Sequence, residues 1–111
     1  MSNNSVAEQV MDGMKINFLA DKAVGVDAVV QFILTGEGGG EYYMSIKDGK
    51  LDVQSGKAPA PKMTLTADAH DYMDIASGKL NPMAAFSSGK LKVGGDMMFA
   101  MKFASLFGRS A

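Results

Sequence analysis

The sequence predicts an α+β fold, and three observations carry that reading. Apolar residues recur at helical spacing near the start, alternate with a period of two from Val26, and return to helical spacing after Asp68. Capping and turn residues mark the changes: Ser5, Asp48-Gly49, Asp68, Asn81-Pro82, Gly94-Gly95 and Asp96. The 111 residues, 47% of them hydrophobic, suit one domain over 1–111. A chain of this size buries roughly two-thirds of its unfolded surface, which is enough for a core.

Ser5-Val6-Ala7-Glu8 fits a capping box, with Ser5 as N-cap and Glu8 reaching back. Ala7, Met11, Met14 and Phe18 follow at helical spacing beside Val10, predicting an amphipathic helix that ends near Asp21. Gly13 weakens it somewhat. From Val26 to Thr35 both faces of the alternation are fairly apolar, as in a central strand. Gly36-Glu37-Gly38-Gly39-Gly40 turns the chain into a second strand bearing Tyr42, Met44 and Ile46. Asp48-Gly49 is a hairpin-turn dipeptide before a short third strand with Leu51 and Val53. After Pro59 and Pro61, Met63 and Leu65 alternate in a fourth.

Asp68 caps a second helix with Ala69, Tyr72, Met73 and Ala76 on one stripe and Gly78 as its stop. Asn81-Pro82 opens a short third helix, with Met83 and Phe86 expected inward and Gly89 at its end. Lys90 to Val93 alternates as a fifth strand. Asp96 then caps a last helix over Met97 to Phe107, with Gly108 as its stop. Only Lys102 and Ser105 are polar in those eleven residues. A surface helix needs an apolar stripe, not an apolar circumference. Such a helix is either buried deep in the core, or packs on the body with one face and meets something apolar with the other.

Composition narrows the function. Ten methionines stand in a chain without Trp, and Met adapts to irregular gaps and varied partners. The absence of Cys removes disulfides, thiolate metal sites and Cys nucleophiles. The net charge of −1 argues against nucleic acid as a partner. Residues 1–75 hold eleven acids and six bases, whereas 76–111 hold Asp96 alone against Lys79, Lys90, Lys92, Lys102 and Arg109. The later part reads either as ordinary solvated lysines or as a weakly basic face for anionic headgroups. The polar, uncharged start does not look like a signal peptide, and the run Met97–Met101 is too short to span a bilayer. Arg109-Ser110-Ala111 is not a peroxisomal address. A cytoplasmic location is the expectation.

Catalytic chemistry finds little to stand on. The glycine-rich segment 36–40 opens onto a strand, whereas a phosphate loop opens onto a helix N-terminus. Ser87-Ser88-Gly89-Lys90 has a Ser-x-x-Lys spacing, yet Gly89 breaks the helix that such a pair needs. His70 and Asp74 are four apart on one helix, but two ligands do not make a metal site and no other His exists. The expectation is therefore no catalytic residue, no metal, no cofactor and no enzyme.

Residues 78–107 carry a more specific signal: Asn81-Pro82 with Phe86, then Ser88-Gly89-Lys90-Leu91-Lys92-Val93, then Gly95-Asp96 and Ala100-Met101-Lys102. This stretch resembles the sterol carrier protein type two family, which often carries Gln where this chain has Ser88. The resemblance implies a five-stranded, mixed but mainly antiparallel sheet. About four helices cover one of its faces and enclose an apolar tunnel. It implies a non-enzymatic lipid-binding or transfer domain for a fatty acid, fatty acyl-CoA, sterol or phospholipid. On that reading Phe32, Leu34, Met73, Met83, Phe86, Met98, Met101, Phe103 and Leu106 line the cavity. Lys90, Lys92 and Lys102 meet headgroups or an anionic membrane surface. The chain is expected to be a monomer or weak homodimer. Two alternatives stay open: an interaction module whose last helix docks on a partner or second copy, and an accessory part of a lipid-metabolising enzyme.

Overall fold

A computed structural model describes residues 5–107. The chain runs through α1 (Val6–Asn17), a 3-10 turn (Ala20–Ala23), β1 (Ala28–Thr35), β2 (Gly40–Lys47), β3 (Lys50–Ser55) and β4 (Met63–Asp68). It continues through α2 (Ala69–Ala76), α3 (Pro82–Ser87), β5 (Leu91–Gly95) and α4 (Met97–Ala104). The five strands form one sheet in the order β3-β2-β1-β4-β5. Only β1 and β4 pair in parallel, and β1 sits at the centre, as its double apolarity predicts.

Pairing register explains why one face is core. Val30 lies between Met44 and Met63, Phe32 between Tyr42 and Leu65, and Leu34 between Gly40 and Ala67. These alternate residues point the same way, and Val30, Phe32, Leu34, Met44, Met63, Leu65 and Ala67 are all buried. The opposite face carries Val29, Gln31 and Ile33 on β1, with Tyr43 and Thr64 beside them. The β3–β4 connection crosses that face and is held by Gln31. Its amide nitrogen donates to the Tyr42 and Gly56 carbonyls, and its oxygen accepts from the Ala58 N–H at 2.7 Å.

Local chemistry sets most boundaries. Ser5 and Glu8 close the capping box reciprocally, at 3.1 and 2.9 Å. Asp48 and Gly49 both take positive φ, as a two-residue hairpin turn of the primed type demands. The 36–40 segment is a hairpin loop, and the Ala7 N–H at the start of α1 donates to its Gly38 carbonyl. Both α2 and α3 end on a left-handed glycine, Gly78 and Gly89, with the paired return hydrogen bonds of a Schellman motif.

Two helices are shorter than their periodicity predicts, for one shared reason. α1 stops at Asn17 instead of continuing to Asp21, and α4 stops at Ala104 instead of Phe107. Phe18 and Phe107 leave their helices to form an antiparallel bridge, and the Leu19 N–H donates to the Leu106 carbonyl at 2.8 Å. The expected stop at Gly108, like Arg109, lies outside the described residues. β5 begins at Leu91 because the Lys90 N–H is committed to the Ala85 carbonyl at the end of α3.

Candidate functional site

The space between the sheet and its helices is apolar and largely aromatic. Phe32 from β1 meets Tyr72 from α2 edge-on at 5.7 Å and Phe103 from α4 at 6.0 Å. Phe103 also meets Phe99 at 6.2 Å and Phe107 at 5.1 Å, and Phe107 reaches Phe18 at 5.8 Å. Five of the six phenylalanines thus join Tyr72 in one row, from α2 across the sheet to the end of α1.

The helix that closes this row is apolar on both sides. Asp96 caps it, its carboxylate accepting from the Phe99 N–H at 3.0 Å. That hydrogen bond holds the Asp96 carboxyl below its ordinary value; desolvation opposes it, and the Lys62 ammonium 3.5 Å away adds to the lowering. Lys62 also lies 5.7 Å over the Phe99 ring. Phe99 and Phe103, one turn apart, face the sheet. Met98 and Met101 lie on the other side and remain 81% and 79% exposed. Met97 is half exposed, and Lys102 is exposed beside Met101.

The nine expected cavity residues therefore divide. Phe32, Leu34, Phe103 and Leu106 are buried in the interior, and Met73 is packed against it half-buried. Met83, Phe86, Met98 and Met101 stand on the outer surface of α3 and α4. The inward facing expected for Met83 and Phe86 is corrected. Ala85 is the residue of α3 that is buried, because the six-residue helix lies close against β5 and only a small side chain fits there.

The basic residues do not form one face either. Lys90 and Lys92 line a cleft of about 370 Å³ with Thr35, Thr66, Ala67, Asp68, Asp71 and Gly89. Lys92 pairs with Thr66 and shares its side of the sheet, away from the aromatic interior. Lys102 belongs to the methionine face of α4. A smaller cleft of about 180 Å³ between α1 and the β2–β3 hairpin is lined by Glu8, Asp12 and Lys15 among others. None of the nine cavity candidates lines either cleft.

Among the described residues no group of three or more His, Cys, Asp or Glu is placed to hold a metal ion. No helix among them is long and apolar enough to cross a membrane. The Ser88 hydroxyl donates to the Ala85 carbonyl at 3.2 Å and so serves the end of α3. Lys62 and Gln31 were not singled out by the sequence, because both act through neighbours distant in the chain.

The family model for the SCP-2 sterol transfer family matches residues 9–108. Hydroxysteroid dehydrogenase-like protein 2 of Xenopus tropicalis is 39% identical over 83 residues, covering 73% of this chain and 20% of that protein. The sterol carrier protein domain 2 of Helicoverpa armigera superposes with a TM-score of 0.74 at 26% identity, covering 95% of this chain and 89% of that one. Palmitated SCP2L2 from Aedes aegypti gives a TM-score of 0.69 at 25% identity, covering 96% and 98%. This chain thus spans a fifth of the curated relative and most of each solved domain.

Proposed function

The chain belongs to the SCP-2 sterol transfer family, and from that we propose that it is a non-enzymatic carrier for one acyl or sterol-like lipid. The observation that carries this reading is α4: its phenylalanines fill the interior while its methionines stand unpartnered outside. A helix of this kind can lift from the sheet without exposing a polar face to the space it leaves. A lipid chain then lies between Phe103 and Leu106 on one side and Phe32 and Leu34 on the other, and Met73 closes the side. The apolar tunnel is then the liganded form of the aromatic row. The palmitated relative is consistent with an acyl chain as occupant.

Energetics suit a carrier. Each buried methylene gains about 0.8 kcal/mol in an apolar cavity, and a bilayer offers the same gain. Exchange between the two is therefore close to balanced. Methionine and phenylalanine walls adapt to differently shaped ligands, which favours broad selectivity.

Met83, Phe86, Met98 and Met101 form the docking side, where apolar groups meet an anionic bilayer surface and Lys102 meets its headgroups. Lys90 and Lys92 approach headgroups from the adjoining sheet edge. A cytoplasmic location, a single domain over 1–111 and a monomer or weak homodimer complete the reading. The curated relative's greater length supports service as an accessory domain of a larger lipid-handling protein.

Titration with a fluorescent fatty acid tests the proposal. Saturable uptake at one site, competed by palmitoyl-CoA, is expected. Absence of saturable uptake at micromolar concentration, with a dimer that forms regardless of lipid, overturns it in favour of an interaction module.

A further inference from the structure

The interior holds one polar group that the aromatic packing does not use. Tyr72 lies on the inward stripe of α2, with its ring edge-on to Phe32 and 6% of its surface exposed. Among the described residues its hydroxyl has no hydrogen-bond partner. Burial alone shifts its pKa, pushing it well above the usual phenol value, with no charged group and no hydrogen-bond partner contributing. The phenol is thus a neutral donor at every physiological pH.

Gln31 is the instructive contrast. It is a buried polar side chain on the opposite face of the sheet, and both ends of its amide are satisfied. No fully sealed side-chain polar atom among the described residues lacks a partner, so the Tyr72 oxygen keeps a narrow opening. The chain fills the rest of the row with phenylalanine. A phenylalanine at position 72 would pack the same ring, so packing alone does not call for the hydroxyl.

We propose that the Tyr72 hydroxyl is the polar anchor of the bound lipid, donating a hydrogen bond to an uncharged oxygen on its head while the apolar body lies along Phe32 and Phe103. The absence of a charged neighbour selects the head chemistry. A carboxylate buried there would lack a cation, whereas an alcohol or an ester carbonyl needs only the one donor. The ligand class is therefore an apolar chain or ring system ending in a neutral oxygen. This rests on the carrier reading above.

The test compares the wild-type protein with Tyr72→Phe in displacement of a fluorescent acyl probe by hexadecanol and by hexadecane. Loss of one hydrogen bond should weaken hexadecanol about tenfold and leave hexadecane unchanged. The ligand-free variant should unfold at a temperature no lower than the wild-type protein, because the hydroxyl has no protein partner to lose. Equal hexadecanol affinity in both proteins overturns the anchor. So does a lower unfolding temperature in the variant, which would give the hydroxyl a structural partner. Failure of the wild-type protein to bind either the probe or the competitors overturns the carrier reading itself, and the anchor with it.

Discussion

Replacing Phe103 and Met101 separately tests how α4 sits, since the two residues are two apart and face opposite ways. Phe103 is 5% exposed and touches three other rings, Phe32, Phe99 and Phe107. Truncating a buried phenylalanine to alanine costs about 3–5 kcal/mol. A domain of this size is stable by only about 5–15 kcal/mol. Phe103→Ala should therefore bring the protein to the edge of folding, and Phe103→Leu, which keeps most of the volume, gives a milder companion. Met101 is 79% exposed. Met101→Glu should change stability by less than about 1 kcal/mol, counting the weak repulsion between a carboxylate and the helix C-terminus. Urea unfolding followed by circular dichroism reads both. With a slope of about 1–3 kcal/mol per molar urea, Phe103→Ala should lower the midpoint by about 1 M or more. A Met101→Glu midpoint that falls as far as that of Phe103→Ala, or a silent Phe103→Ala, would mean that the helix is turned the other way.

Three further outcomes follow from the same geometry. The Asp96 carboxyl is held below its unfolded value of about 3.9, so the stability it contributes is present above that pH and is lost as pH falls through the folded value. The unfolding temperature of the wild-type protein should drop more steeply in acid than that of Asp96→Asn; parallel curves would deny the linkage. Gln31→Leu removes the acceptor of the Ala58 N–H and the donor to two carbonyls, at about 1–3 kcal/mol for each buried group left unpaired. Trypsin should then cut faster after Lys57 and Lys62, and an unchanged digestion rate would show that the crossover is held by something else. Lipid transfer to anionic vesicles should slow as salt rises, since exposed charges are screened beyond roughly 8 Å at physiological ionic strength. The double variant Met98→Glu, Met101→Glu should also transfer slowly at low salt. Rates indifferent to both changes would remove the docking side from α3 and α4.

The sequence made the order of elements readable because local chemistry fixes it. Ser5, Asp68, Asn81 and Asp96 each cap the helix expected of them, and Asp48-Gly49 makes its turn. Helix ends were less legible where a distant segment decides them. Nothing near Phe18 announces that it will pair with Phe107, 89 residues later, and thereby end α1. The facing of α3 was hidden for another reason. In a six-residue helix a small residue can claim the buried position, and Ala85 displaces Met83 and Phe86. The interior of the candidate site was partly visible, since Phe32 and Leu34 follow from strand alternation. The unpartnered phenol was not, because an inward Tyr72 satisfies helical periodicity as well as a phenylalanine does.

Native mass spectrometry of the purified protein mixed with palmitoyl-CoA, palmitate and hexadecanol in turn tests the central claim most directly. The account predicts a single added mass for at least one of these lipids, at one copy per chain, that survives gentle desolvation. The same experiment on Phe103→Leu should show weaker occupancy. A spectrum that holds only the bare chain after every incubation, from protein shown to be folded, would contradict the carrier reading.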